Sequence, residues 1–416
     1  MLALLHREVV PAIGCTEPMA VALCVARATE KLGTLPAHIE LHLSANILKN
    51  AMGVGIPGTG GMIGLPIAVA MGAVAGKSCL GLEVLRDCKP QDLQAAKDYL
   101  TQNRIHISLE EHDPDKLYIH VRVNDNEGRS EEACIKGSHT TFVEPNDRKD
   151  GQTEGCSGEQ APTLALAGVF EFATTEPLDD LRFILEAKRL NEAAAADGLR
   201  ENYGHQLGKT MCSPLGRGIM GDSIFAKVLS ETSCACDARM AGAQIPVMSN
   251  SGSGNQGICA TMPVVVFARE NHNTEEELIR ALTLSHLTAI YIKQSLGCLS
   301  ALCGCVVAST GSSCGITYLM GGSYEQVAHS VKNMIANLTG MICEGAKPSC
   351  ALKLTTGVGT AVMSAMLAIQ HKYVTSAEGI IEEDVDRSIR NLTSIGSRGM
   401  DETDRFVLDI MTHKKS

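Results

Sequence analysis

The sequence predicts an α+β fold: a mixed α/β N-terminal part over residues 1–160 and a mainly helical part over residues 161–416. Three observations lead there. Alternation of apolar and polar residues, the period of a half-buried strand, is concentrated between residues 104 and 146. Beyond residue 160 that pattern nearly vanishes and apolar residues recur at helical spacing. Aromatic residues make up only 3% and Trp is absent, whereas 40 glycines and many alanines point to helices packed backbone to backbone.

The elements follow in order. IGCTEPMAVALCVARATEKLG, residues 13–33, opens with helix-start chemistry: Thr16 as cap, Glu17 and Pro18 in the first turn, and Gly33 as the stop. Residues 37–48 alternate like a strand. A Gly-rich loop then feeds an apolar helix at 61–76, which is 16 residues long, contains Pro66 and is short for a membrane span. Residues 91–102 read as a helix. Three alternating segments, 104–112, 116–125 and 131–146, are separated by the turn residues DPD and NDNEG and predict a three-stranded antiparallel meander. Residues 147–160 read as a linker or exposed loop. Helices are expected at 161–173, 178–196, 217–230, 274–296, 325–338, 354–370 and 383–393.

The chain has 36 Lys+Arg against 47 Asp+Glu, a formal charge of −11, and no basic block, which argues against nucleic acid. The stretch after Met1 lacks the basic and apolar regions of a secretory signal. The expectation is a soluble cytoplasmic protein acting on a small molecule, with no membrane partner and a homodimer left open.

Sixteen cysteines in such a chain are free thiols rather than a disulfide framework. Cys24, Cys79, Cys134 and Cys259 read as small core residues. The paired CxxC knuckles of a structural zinc site are absent, as is the cysteine run of a bacterial ferredoxin. Yet GMICEGAKPSCALK, residues 340–353, sets Cys343 and Cys350 around a loop stiffened by Pro348 and loosened by Gly345. An iron–sulfur cluster needs soft thiolates, and three of them leave one iron open as a Lewis acid. Cys303 is the best-placed third thiol, although packing of an apolar helix accounts equally for Cys303 and Cys305. Cys15, just before Thr16, lies at the amide end of a helix, where a thiolate is favoured. It reads either as a reactive or ligand thiol or as a buried structural one.

SNSGSGNQGI, residues 249–258, is a Ser/Gly/Asn loop whose N–H groups suit a carboxylate, with Ser251, Ser253, Asn255 and Gln256 as directional partners; an ordinary connector is the plainer reading. GVGIPGTG, residues 53–60, is a second such loop, with Thr59 as its candidate side chain. Neither carries a nucleotide-binding signature.

PAIGCTEPMAVAL, GVGIPGTG, SNSGSGNQGI, SALCGCVVAS and GMICEGAKPSCALK occur in this order over nearly the whole chain. Together they resemble the L-cysteine desulfidase family, also described as serine dehydratase alpha-chain-like. The resemblance implies a [4Fe-4S] enzyme independent of pyridoxal phosphate that splits L-cysteine into pyruvate, ammonia and sulfide. Relatives dehydrate L-serine with the same kind of cluster. It places metal ligands at Cys303, Cys343 and Cys350, and makes Cys15 the fourth ligand or a proton-transfer group. Cys305 and Cys314 are extra candidates that the family does not require. The implied chemistry binds the substrate carboxylate around Ser251–Gln256, helped by Thr59, and takes the α-proton with a base for which Cys15 is the candidate. Lys347 and Lys353 would balance cluster charge. Two rivals stand beside this reading: an iron–sulfur L-serine dehydratase, and a metal-free binding or scaffold protein whose cysteines are buried thiols.

Overall fold

A computed structural model describes residues 1–110, 117–144, 164–297 and 300–414. The expected linker at 147–160 and Cys298 lie outside the described residues. The architecture is α+β, with a five-stranded mixed sheet, a two-stranded ribbon and a large helical body.

The strands are β1 Pro11–Ala12, β2 His38–Leu43, β3 Ile105–Leu109, β4 Tyr118–Asn124, β5 Ser130–Lys136, β6 Phe142–Val143 and β7 Val247–Met248. The main sheet runs β3-β2-β4-β5-β6. Strands β4, β5 and β6 form an antiparallel meander, but the expected first strand of that meander does not join it. Instead β3 pairs in parallel with β2, which lies between β3 and β4. The reason is burial. Ile39, Leu41 and Leu43 of β2 oppose Ile105, Ile107 and Leu109 on one side and Val123, Val121 and Ile119 on the other, so one continuous apolar face forms only with β2 in the centre. The opposite face is polar and carries His42, His120, Arg122 and Glu132. The expected strand at 37–48 ends at Leu43, and a helix takes over.

The N-terminal helices are α1 Leu2–Glu8, α2 Thr16–Leu32, α3 Ala45–Ala51, α4 Leu65–Ala75 and α5 Pro90–Leu100. Helix α2 covers the apolar face of β4 and β5, and α4 packs on α2. They approach so closely that a Cβ at Gly72 would stand 2.6 Å from the Ala22 carbonyl oxygen. One buried cluster joins α2, α4 and the sheet.

The helical part comprises α6 Leu166–Thr175, α7 Leu178–Leu181, α8 Leu185–Arg200, α9 Leu207–Cys212, α10 Pro214–Met220, α11 Ile224–Met240, α12 Gly254–Glu270, α13 Glu275–Leu296, α14 Gly304–Leu319, α15 Tyr324–Leu338, α16 Cys350–Ile369, α17 Val385–Ser394 and α18 Asp401–Thr412. Helix α14 is the axis of a second buried cluster and touches α12, α13, α15 and α16. Helix α13 starts with a capping box, Thr274 and Glu277 bonding each other's backbone N–H. The helix expected at 217–230 is instead α10, a break, and α11, because Gly221 adopts φ +70° and Ser223 caps a new start at Ile224. Leu4, Leu5, Val9 and Cys15 belong to this second cluster, and β1 pairs with β7, so the N-terminus is built into the helical body.

Helix α16 is the one described helix long and apolar enough to cross a membrane by length and composition, and 56% of that stretch is buried against its neighbours.

Candidate active site

The site begins with backbone pairing. Cys303 N–H donates to the Met341 carbonyl at 2.9 Å and Cys343 N–H to the Ala301 carbonyl at 2.6 Å, with Leu302 and Ile342 bridged between them. Two segments distant in sequence are thus zipped so that Cys303 and Cys343 lie within side-chain hydrogen-bond reach. Cys303 caps α14, and its thiol also reaches Cys305. Cys350 opens α16, its thiol directed at the Gly345 carbonyl at 3.6 Å. Its charged form would be felt by Cys343, Cys305 and Cys236. The three thiols singled out from the sequence therefore come to one region, with Cys305, Cys236 and Cys259 around them. Cys314 does not join them; it interacts with Thr288 and Ser330 on the far side of α14. Of the expected core cysteines, Cys24, Cys134 and Cys259 are buried, whereas Cys79 is exposed.

The 343–350 loop is held by the N-terminal part of the chain. Gly345 has φ +84°, and a Cβ there would run into the Lys49 carbonyl oxygen. Gly53 of the second glycine loop lies against Ala346 and Lys347. Lys347 and Lys353 both pair with Glu344, at 3.3 and 2.7 Å, and the charges of both also reach Cys350, with Lys353 close enough to feel Cys303 and Cys343. Lys49, only 2% exposed, pairs with Asp404 of α18, and its charge draws the Cys343 pKa down against larger upward effects.

Cys15 departs from expectation. It caps α2, with Thr16 the first helical residue. It is 3% exposed and its thiol donates to Glu17 Oε2 at 3.0 Å. Burial, reinforced by the Glu17 charge, pushes the thiol well above its ordinary pKa. Desolvation outweighs the helix amides, so Cys15 is a protonated donor here and not a thiolate. Burial pushes Glu17 upward but is outweighed by His139 and by hydrogen bonds from Cys15 and Thr16, which hold it ionised below the usual range. The sequence reading placed Glu17 only as a first-turn acid; its position two residues after Cys15 was the available signal.

Thr16 Oγ1 also reaches the Gly252 carbonyl at 3.3 Å, which joins the start of α2 to the 249–258 loop. In that loop Ser251 has φ +48°, its hydroxyl donates to Asn250 and its N–H to the Glu8 carbonyl. Ser253 caps α12 by accepting from Gln256 N–H. Both serines are thus engaged in shaping the loop. Thr59 is likewise occupied: its hydroxyl donates to the Ile56 carbonyl at 2.6 Å. Asn255 and Gln256 face inward. Asn255 Oδ1 accepts from Arg239 at 2.9 Å, and Gln256 lies against Gly304, between Cys303 and Cys305. Helix α11 brings three buried residues that were not expected at the site: Cys236, of the C-x-C pair at 234/236, with Asp237 and Arg239. Asp237 is raised to about 6, chiefly by burial.

No three His, Cys, Asp or Glu among the described residues surround one point so as to hold a single metal ion. The donor set is nonetheless the soft, all-thiol type that iron–sulfur clusters use, and a four-iron cube spreads its ligands more widely than one ion does. The residues fit such a group in kind.

The sequence model described as serine dehydratase alpha chain matches residues 79–409, which include the Cys303–Cys350 region and the 249–258 loop. The chain is 64% identical to a UPF0597 protein of Bacteroides fragilis, over all of this chain and 98% of that one. It is 50% identical to a UPF0597 protein of Porphyromonas gingivalis, over all of this chain and 98% of the relative. A UPF0597 protein of Shewanella halifaxensis is 44% identical, over 99% and 98% of the two chains. The chain belongs to the serine dehydratase alpha chain family, and with it to the dehydratase-like lyases.

Proposed function

We propose that the protein is a [4Fe-4S]-dependent L-cysteine desulfidase, a carbon–sulfur lyase that converts L-cysteine to pyruvate, ammonia and sulfide. The observation that carries this reading is the zipped pair of segments at 301–303 and 341–343, which sets Cys303 beside Cys343 with Cys350 close by. These three thiols would hold the cluster. When bound, it supplies an open iron that acts as a Lewis acid on the β-substituent of the substrate.

The chain's own residues handle the protons. Glu17, held ionised, accepts the 3.0 Å hydrogen bond from the Cys15 thiol and fixes where that sulfur sits. With the cluster bound, the positive charge of its irons would lower the Cys15 pKa, and the resulting thiolate would take the substrate α-proton. Loss of the β-thiol as sulfide then leaves aminoacrylate, which tautomerises to an imine and is hydrolysed to pyruvate and ammonia. Burial of Cys15 keeps bulk water from quenching the step. Asn255 and Gln256, at the start of α12, are the loop residues with side chains turned toward the thiols. The reducing cytoplasm is the compartment in which so many thiols stay free.

A second reading is an L-serine dehydratase of the same architecture, which the family description favours. One anaerobically reconstituted preparation assayed with both substrates separates the two. The proposal expects faster pyruvate release from L-cysteine, with stoichiometric sulfide; faster release from L-serine without sulfide supports the second reading.

A further inference from the structure

Arg239 is a buried cation without a counter-ion. It is 4% exposed, on α11, between the Cys15 turn and the start of α12. One Nη donates to the Gly14 carbonyl at 3.0 Å and the other to Asn255 Oδ1 at 2.9 Å, both neutral acceptors. Its Nε has no acceptor, and among the described residues no carboxylate lies within ion-pair distance. A guanidinium does not shed its proton, so the full charge stays in place at a large desolvation cost. The sequence makes room for it: a side chain at Gly254 would collide with Nε.

A second orphan lies one residue beyond Asn255 on α12. Gln256 is 5% exposed, its Oε1 has no donor, and its side chain lies on Gly304 between Cys303 and Cys305. A donor lacking an anion thus lies near Cys15 and Cys236, and an acceptor lacking a donor lies at Gly304, between Cys303 and Cys305. The ligand that satisfies both is a zwitterion. We infer that Arg239 anchors the α-carboxylate of an L-α-amino acid, with Gln256 Oε1 accepting from its ammonium. This deepens the lyase reading and rests on it for the identity of the ligand. It moves the carboxylate anchor from the 251–256 loop hydroxyls, which are already engaged, to a residue of α11.

The test supplies Arg239 with an internal partner. Asn255→Asp places a carboxylate where the guanidinium already donates, so the fold gains a buried ion pair while the anchor is blocked. The probes are L-alanine, which has both charged groups and no leaving group, and ethylamine, which lacks the carboxylate. Calorimetry on the apoprotein should show L-alanine affinity falling roughly 30-fold or more in Asn255→Asp, the scale for disrupting a buried charge pair. Arg239→Lys should lose less, keeping charge but not the fork. Ethylamine binding should be the same in all three proteins, and the iron content after reconstitution should match wild type. Undiminished L-alanine binding in both variants, or no L-alanine binding to wild type, overturns the assignment. So does loss of iron in Arg239→Lys with L-alanine binding intact, which would make Arg239 a counter-charge for the cluster. Pyruvate release is scored separately: its absence with either substrate counts against the lyase reading and leaves the Arg239 result standing.

Discussion

Cys15 donates its thiol proton to Glu17 Oε2 across 3.0 Å, within a turn buried between the sheet and the helical body. A thiol pushed up by burial and bonded to a carboxylate held ionised is a hydrogen-bond donor of fixed orientation, which is the positioning that the proposed proton transfer calls for. Glu17→Gln keeps the shape and removes the acceptor charge. Its kcat for pyruvate release should fall by about 10²–10⁴, the usual span of general-base catalysis, with Cys15 no longer held in place. Its iron content should match wild type. A kcat within threefold of wild type excludes that role for Glu17.

Substitution of the thiols divides them into two groups. Cys303→Ala, Cys343→Ala and Cys350→Ala should each lose bound iron after anaerobic reconstitution, because a three-thiolate anchor has no spare member. Cys314→Ala should keep it, since Cys314 faces Thr288 and Ser330. Cys305→Ala is the sharper control: the Cys305 thiol lies 3.0 Å from Met341 Sδ and reaches Cys303, yet should retain iron. Iron loss there equal to that of Cys303→Ala would exchange their roles.

What the sequence revealed follows from which forces are local. Helix α2 spans Thr16–Leu32, as periodicity, the first-turn Glu17 and Pro18 and the Gly33 stop require, although Cys15 and not the expected Thr16 holds the cap position. The sheet order was hidden because alternation identifies a strand but not its partner, and β2 reaches β3 only after three helices. Cys303, Cys343 and Cys350 were legible as a motif. Arg239 and Asp237 were not, because they lie beyond the helix expected at 217–230 and only the packing of the longer α11 buries them. The thiolate expected at Cys15 failed for a related reason: helix amides are visible in sequence, desolvation is not.

Gly345 tests the loop that carries two of the thiols. Its φ of +84° and the nearby Lys49 carbonyl both oppose a side chain. Gly345→Ala should lower the melting temperature, with a cost of about 2–4 kcal/mol from strain plus overpacking, and should lower iron retention. Gly379→Ala is the control: φ is +55° but nothing stands near a Cβ there, so the cost should stay near 1 kcal/mol with iron unchanged. Equal effects in the two variants would show that the loop is not clamped on Lys49.

His286 links stability to pH. It is fully buried, bonded to Asn250 at 3.0 Å and to Thr261 at 3.0 Å, and burial lowers it from 6.5 to about 3. Its folded pKa lies below the unfolded one, so its contribution is complete above about pH 6.5 and is lost as pH falls toward about 3. The stability of the apoprotein should fall by up to about 1.4 kcal/mol per pH unit from this group across that window. His286→Gln should flatten that part of the curve in denaturant titrations at successive pH values. An unchanged slope would mean that His286 is not buried neutral.

The central claim is that the thiols at 303, 343 and 350 carry an iron–sulfur cluster, and counting iron and acid-labile sulfide in anaerobically purified and reconstituted protein tests it most directly. The account predicts a brown protein absorbing near ~400 nm with about four iron and four sulfide per chain, both lost in the Cys343→Ala variant. A colourless protein that takes up neither iron nor sulfide under those conditions contradicts it, and leaves a binding or scaffold protein whose cysteines are only packed thiols.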